Sequence, residues 1–380
     1  MGQLKLCFVA DSVSIHAQRW VNYFAERGHD THLISRWFPA GRERLDDRIH
    51  AHALVRLLRS SQVSRASIAL SWVPWVLQVR SLVNDIRPDI VHALFLGVPG
   101  YLGVASGFHP LVLSAWGSDI LILPRRNLVS NYLSRRALKR ADRILCVSPV
   151  VKDEMIRLGA APNKIDVTPI GVDTQKFRPA ARDEAVLHEL DIAGAPLVIS
   201  TRSLKPVYDV ETLIRAIPSI LDDVPEARFI VAGAGEQRGY LESLARGLGV
   251  AASIRFAGWV QENEYRSLLA SADVYVSTSL SDGTSVSLLE ALACELAPVV
   301  TDIPANRPWV NDGEGGFLFP PRDHKTLASA VIRLLKDRET RIRFGRNGRD
   351  AVTGKADFER EMARVTTVYE ELKSGKPQAP

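Results

Sequence analysis

Two carboxylates eight positions apart, Asp282 and Glu290, flank the stretch of this 380-residue chain whose residue types best suit phosphate and hydroxyl chemistry. Between them lie Gly283, Thr284, Ser285 and Val286, where a polar turn gives way to a Leu/Ala-rich helix predicted from Val286 to about Glu295. The preceding run, Asp273 to Ser277, reads as a buried strand. A strand, a Gly/Ser/Thr turn and the bare N–H groups of a new helix make an anion site, because the helix dipole and the unpaired donors both favour phosphate. Glu290, one turn inside, is placed to accept hydrogen bonds from hydroxyls beside that phosphate, as on a ribose or a sugar. A plainer reading uses the same residues: Thr284 or Ser285 caps the helix and Glu290 is solvated. Local features leave both open.

The wider pattern separates them. An acid, seven residues, a Glu, a Leu/Ala-rich helix and then Pro298-Val299-Val300 resembles the signature of glycosyltransferase family 4, the retaining, group 1 sugar transferases of GT-B fold. That resemblance implies an α/β chain of two Rossmann-like, doubly wound domains facing across a cleft. Residues 1–175 are expected to form the acceptor-side domain and 176–356 the nucleotide-sugar domain, with a last helix over 357–372 crossing back to the first. It further implies that Asp282 holds hydroxyls of the transferred sugar, Glu290 holds ribose hydroxyls, and the backbone near Gly235 and Val260 lies beside the donor. Arg202 matches the family's diphosphate-binding arginine. The partner lysine position is Tyr208 here, with Lys205 nearby as a substitute, and Trp116 stands where many members have a histidine. Pro169-Ile170-Gly171-Val172-Asp173 resembles the interdomain hinge, with Ile170 departing from the usual Asn.

The elements that must position these groups alternate as strand and helix. Leu4–Ala10, Thr31–Ser35, Ile90–Leu94, Leu111–Ala115, Ala141–Ser148 and Val167–Thr168 are the expected strands of the first half, and a helix is expected over Ile15–Arg27. In doubly wound sheets ligands sit beyond the carboxyl ends of the strands, so the loop carrying Ser14 and His16 becomes a candidate acceptor contact. Asp119, the ionisable group after Leu111–Ala115, is a candidate to orient a hydroxyl or act on the acceptor, or else to cap the next helix. Residues 50–87 read as helical and basic, with Pro74 interrupting a long amphipathic helix and Trp72 and Trp75 within it. In the second half, strands are expected at Leu197–Thr201, Arg228–Ala232 and Ile254–Gly258, and a helix at Thr326–Lys336. Gly233-Ala234-Gly235 fails as a dinucleotide fingerprint because Arg238 takes the third glycine position, and it reads instead as a tight turn.

Composition narrows the class. Hydrophobic residues make up 46% of the chain, enough for two ordinary cores. Cys7, Cys146 and Cys294 are far apart in sequence, which predicts reduced thiols and a cytoplasmic setting. The apolar run before Asp11 is too short for a signal peptide, and Leu6 argues against myristoylation. Ile90–Ser118 lacks charged residues, yet its prolines and glycines divide it into strands and a short helix rather than a membrane span. Charge is lopsided. Residues 1–178 hold 24 Lys/Arg against 14 Asp/Glu, a formal +10, and the remainder sums to −5. Arg125, Arg126, Arg135, Arg136, Lys139, Arg140 and Arg143, with Arg56, Arg59 and Arg65 upstream, favour an anionic partner. Lipid headgroups or a phosphate-linked acceptor fit better than nucleic acid, for which no binding module is present.

The expected reaction is therefore transfer of a sugar, with retention, from a UDP- or GDP-linked donor to a saccharide or lipid-linked acceptor, in cell-surface polysaccharide or glycolipid assembly. The resemblance implies no cofactor, the nucleotide-sugar being a substrate. With no Asp-x-Asp pair in the chain, no metal is expected either. Two alternatives share the fold: a nucleotide-sugar epimerase, which converts donor alone, and a non-catalytic relative, which binds donor without turnover.

Overall fold

The computed structural model describes residues 2–38, 45–54, 65–190, 192 and 194–375, with the side chains of 65–71 outside that description. Arg56, Arg59 and the side chain of Arg65 therefore lie outside the described residues. The chain divides into two compact units, Met1–Ile170 with Arg360–Pro380, and Gly171–Glu359.

The first unit carries strands β1 (Lys5–Val9), β2 (Asp30–Ser35), β3 (His50–Ala53), β4 (Ile90–Leu94), β5 (Leu111–Ala115), β6 (Arg143–Cys146) and β7 (Ile165–Val167). They form one sheet in the order β3-β2-β1-β4-β5-β6-β7, parallel throughout. Helices α1 (Ile15–Glu26), α2 (Arg65–Ile86), α3 (Val98–Ser106), α4 (Ser118–Leu121), α5 (Leu128–Arg140) and α6 (Pro149–Arg157) connect them. Parallel strands need such crossovers, and the helices cover the sheet, which is why β4 and β5 are buried at every position. Trp20, Val21 and Phe24 on α1 pack inward as one stripe.

Two expectations fail in this half. Residues 50–53 form a strand, not the start of a helix: His50-Ala51-His52-Ala53 pairs with His32–Ser35 on the sheet edge. So short a stretch, without an apolar run, carries no strand signal until its neighbour supplies the pairing. The helix that does form runs through Pro74 from Arg65 to Ile86. Trp75 is buried and Trp72 packs edge-on against Tyr101, while Val73 and Leu77 stay exposed.

The second unit carries α7 (Glu184–Glu189), β8 (Leu197–Ser200), α8 (Val210–Asp223), β9 (Arg228–Val231), α9 (Arg238–Gly247), β10 (Ile254–Phe256), α10 (Glu262–Ser271), β11 (Val274–Ser277), α11 (Val286–Ala293), β12 (Ala297–Thr301), β13 (Phe317–Phe319), α12 (His324–Lys336) and α13 (Arg338–Lys355). Its sheet is again parallel, in the order β10-β9-β8-β11-β12-β13. Val198, Phe229, Val274 and Val299 from neighbouring strands meet Leu213, Ile217 and Leu327 from the helices in one core.

The last helix, α14 (Phe358–Ser374), packs within the first unit from Arg360 onward. Tyr369 is fully buried 5.2 Å from the Phe24 ring, and its hydroxyl bonds His92 Nδ1. His92 Nε2 meets Ser114 Oγ at 2.7 Å. Burial pushes the His92 pKa down to about 3, so the imidazole is neutral in the folded core. Among the described residues, no helix is long and apolar enough to cross a membrane.

Candidate functional site

In the second sheet the chain moves outward from β8 to β9 on one side and returns with β11 on the other. A crevice opens at such a reversal beyond the carboxyl ends of the strands. The loop after β8, Thr201 to Lys205, and the loop after β11, Thr278 to Ser285, both lie there.

Arg202 joins the two loops. It is 8% exposed, and its Nη1 donates to Ser285 Oγ at 2.6 Å and Ser287 Oγ at 3.0 Å. Its Nη2 donates to Asp282 Oδ2 at 2.5 Å. The guanidinium carbon lies 4.2 Å from the centre of the Tyr208 ring, within cation–π range. Burial works against the Arg202 charge, but Asp282 together with Tyr275 and Tyr208 outweighs it and the pKa is raised. Arg202 Nε is buried without a hydrogen-bond partner, which makes it a donor aimed at nothing in the protein.

Ser285 is the N-cap of α11 and accepts from Leu288 N at 3.3 Å. Among the described residues, the N–H groups of Val286 and Ser287 have no intramolecular acceptor, as the first turn of a helix requires. Thr284 is buried and its Oγ1 donates to the Gly283 carbonyl at 2.9 Å, while the Gly283 N–H donates to Asp282 Oδ1 at 2.9 Å. Glu290 lies one turn further on, partly buried, and its Oε2 accepts from the Tyr265 hydroxyl at 2.9 Å. Tyr275 meets the Arg202 cluster through Ser287 Oγ at 3.0 Å.

The structure thus brings together Arg202, Asp282, Gly283, Thr284, Ser285, Val286 and Glu290. Three partners were not foreseen: Tyr265, Tyr275 and the ring of Tyr208. Tyr275 carried a signal, since a phenol in a buried strand needs a hydrogen-bond partner. Tyr265 lies in the polar stretch Glu262–Ser271, where nothing marks it as facing Glu290.

The structure gives the other candidate residues contacts of their own. Asp282 uses one oxygen on Arg202 and the other on Gly283, so it serves as the counter-charge that holds the guanidinium. Tyr208, at the position of the family's lysine, supplies an aromatic platform for Arg202 in place of a second cation. Lys205 is exposed and forms no ion pair among the described residues. A Cβ at Gly235 would lie 2.2 Å from the Leu204 carbonyl oxygen, so the position takes no side chain, and its N–H has no intramolecular acceptor among the described residues. Gly233 meets Arg202 O in the same way, so both glycines let the β8 loop lie against the turn after β9. Val260 is partly buried, and its N–H and C=O have no intramolecular partner among the described residues.

In the first unit, Asp119 is fully buried and its carboxylate accepts from Leu96 N (2.9 Å), Trp116 N (3.0 Å) and Gly117 N (2.8 Å). Burial raises its pKa against the opposing pull of these amides. With these bonds the side chain ties the loop after β4 to the loop after β5. It is not the N-cap of α4, which is Gly117. Ser14 caps α1, accepting from Ala17 N at 3.4 Å. His16 packs edge-on against Trp116, with ring centres 5.7 Å apart, and Trp116 also meets Trp20 and Phe95. The histidine position of the family is thus occupied here by the centre of an aromatic cluster.

Two family models match the chain: glycosyl transferases group 1 over residues 188–351 and glycosyl transferase 4-like over 5–148. Sulfoquinovosyl transferase SQD2 of Arabidopsis thaliana is 28% identical, the match covering 92% of this chain and 68% of that protein. The lipopolysaccharide core biosynthesis glycosyltransferase LpsE of Rhizobium meliloti is also 28% identical, over 94% of each chain. Among solved structures, sucrose-phosphate synthase of Thermosynechococcus elongatus superposes with a TM-score of 0.84 at 17% identity, covering 98% of this chain and all of that one. Anabaena HepE in complex with UDP-glucose superposes at 0.83 with 18% identity, over 97% of this chain and all of that one. The two solved structures share the GT-B fold of this chain, and the two family models, with these relatives, place the chain in the group 1, family 4 glycosyltransferases.

Proposed function

We propose that this protein moves a sugar, with retention at the anomeric carbon, from a UDP- or GDP-linked donor to an acceptor hydroxyl in cell-surface polysaccharide or glycolipid assembly. One observation carries the reading: the Arg202 guanidinium is pinned by Ser285 and Ser287, at the start of the helix whose Val286 and Ser287 amides are open, and by Asp282. A fixed guanidinium at a helix N-terminus suits a diphosphate. HepE, of the same fold, binds UDP-glucose, and LpsE acts in lipopolysaccharide core biosynthesis.

As the bond from the anomeric carbon to the diphosphate lengthens, positive charge spreads over the sugar ring and negative charge builds on the departing oxygens. Arg202, the α11 amides and the exposed cation of Lys205 meet that negative charge without a divalent ion. Glu290, oriented by Tyr265, holds the ribose hydroxyls. Asp282 holds Arg202 and offers its remaining lone pairs to hydroxyls of the sugar. No cofactor enters this scheme.

Glu290→Gln is expected to weaken nucleotide-sugar binding by about 1.5–3 kcal/mol, the range for a hydrogen bond to a charged group. Calorimetry with UDP- and GDP-sugars on folded variant measures it, and unchanged affinity for every donor would reject the site. Mass spectrometry of reactions with membrane lipid extract then separates transfer from its rivals: a sugar-bearing acceptor supports transfer, donor conversion alone an epimerase, and binding without turnover a non-catalytic relative.

The reading extends to a place of work on the cytoplasmic face of an anionic membrane. Leu128, Val129 and Tyr132 on α5 are 88%, 67% and 62% exposed, the kind of apolar surface a soluble helix seldom leaves uncovered. Val129, Tyr132, Arg136 and Arg140 follow one helical stripe, and Arg126 stands just before it. The four expected arginines are not equivalent. Arg125 pairs with Glu154 at 2.9 Å and Arg135 donates to Asn131 and the Leu158 carbonyl, whereas Arg126 and Arg136 form no ion pair among the described residues. Each basic residue near an anionic surface contributes about 1 kcal/mol, screened over about 8 Å at physiological salt. Vesicles containing phosphatidylserine should therefore retain the protein at low salt and release it as salt rises. Joint Arg126→Gln and Arg136→Gln should weaken retention several-fold, and Leu128→Asp with Val129→Asp should abolish it. Equal, negligible sedimentation with neutral and anionic vesicles would sink the membrane reading and leave the transferase reading standing.

A further inference from the structure

Four titratable side chains gather on the outer edge of the first sheet, away from every group considered so far. Residues two apart on a strand share a face, so Asp30 and His32 on β2 project with His50 and His52 on β3. The parallel register sets His32 beside His50 and Ile34 beside His52. Asp30 Oδ1 lies 3.1 Å from His32 Nε2 and 3.7 Å from His50 Nε2, and the three donor atoms fall within 4.8 Å of one another. His32 Nδ1 meets His52 Nε2 at 3.1 Å, and the imidazoles stack with centres 4.7 Å (His32–His50) and 5.3 Å (His32–His52) apart. Lys5 Nζ stands 3.3 Å from Asp30 Oδ2, leaving Oδ1 toward the histidines.

We propose that Asp30, His32 and His50 form a site for one divalent transition-metal ion of the zinc class, completed by water on the solvent side. Tetrahedral ligands at zinc bond lengths of about 2.0–2.2 Å lie roughly 3.3 Å apart, and the two Asp30 separations bracket that value. Two imidazoles and a carboxylate are the ligand types such an ion selects over magnesium or calcium. His50 is 61% exposed at its side chain, which opens the fourth position to water.

The hydrogen bonding agrees. With a metal on His32 Nε2, the proton of that ring sits on Nδ1, where His52 Nε2 is positioned to accept it. Such an outer partner fixes the tautomer of a ligating histidine. Asp30 and His50 open their strands, at the end opposite the loops that follow the carboxyl ends. An ion there fastens the short edge strand β3 to β2 and takes no part in sugar transfer. The competing arrangement is a ladder of hydrogen bonds from the histidines to Asp30, with no ion.

Zinc and cobalt titrations of untagged, metal-stripped protein discriminate between them. The expected result is one saturable equivalent, an intense tetrahedral cobalt absorption, and a melting temperature raised by zinc. His50→Ala, a surface change that leaves the core untouched, should lose at least 100-fold in affinity and all of the zinc-dependent melting shift. His52→Ala should lose roughly 10–100-fold, the range for outer-shell partners. No saturable binding by the wild-type protein, or equal affinity in Asp30→Ala, His50→Ala and wild type, overturns the site and leaves the ladder or adventitious binding elsewhere.

Discussion

Arg202→Ala should lower turnover by about 10²–10³-fold, the loss typical of removing one fixed donor from a developing anion, and should weaken donor binding far less. The asymmetry follows from when the charge appears. A bound nucleotide-sugar already carries phosphate charge, but the extra charge on the departing oxygens exists only in the transition state, so that part of the interaction acts on kcat. The geometry adds a second reason. Asp282, Ser285 and Ser287 fix the guanidinium before donor arrives, and the Tyr208 ring supports it from one side. Little reorganisation is then needed at the moment of reaction. Arg202→Lys is the informative companion: it keeps a charge but loses the planar fork that reaches Asp282 and both serines together, so it should recover only part of the rate. Asp282→Asn separates the counter-charge from the cation by loosening Arg202 while leaving it in place. Steady-state kinetics and donor calorimetry on these variants give the test. If Arg202→Ala keeps kcat within a few-fold of wild type, the guanidinium does not meet the leaving group and the electrostatic account fails.

Much of this site was legible because strand, turn and helix leave a local signature. Asp282 to Glu290 announces a helix N-terminus, and the Pro-Val-Val that follows announces the next buried strand, β12. Arg202 was legible through resemblance, as a cation just past a strand. Long-range partnership was not. Nothing local in Ser-Leu-Leu-Glu-Ala says that Tyr265, 25 residues earlier, bonds Glu290, or that Tyr208 slides under Arg202. Those contacts depend on the order β10-β9-β8-β11, which strand propensity does not encode. The glycines after β9 show the same limit. Sequence marks Gly233 and Gly235 as a turn, but only the packed loop shows that the Arg202 and Leu204 backbones fill the space a side chain would take. Strand β3 was lost for the opposite reason, having four residues, two of them alanine, and no apolar pattern to register.

Asp119→Ala should destabilise the first unit by about 3–6 kcal/mol, because it strands the N–H groups of Leu96, Trp116 and Gly117 in the interior at roughly 1–3 kcal/mol each, with sub-additive coupling. Domains have only about 5–15 kcal/mol in hand, so a loss of this size brings the unit near unfolding. The two units need not melt together, and the measurement should therefore be local. Hydrogen exchange at Leu96, Trp116 and Gly117 should accelerate first, ahead of amides in β4 and β5. Asp119→Asn should fall between alanine and wild type, since its carbonyl can still accept but its amide group opposes a backbone donor. Unfolding alone lowers activity, so activity by itself decides nothing. The discriminating result is the pairing of effects. Turnover that falls in proportion to loop exchange marks Asp119 as a positioning residue. Abolished turnover with unchanged stability and unchanged exchange would return it to the reaction itself, and would require its carboxylate to leave three amides that now hold it.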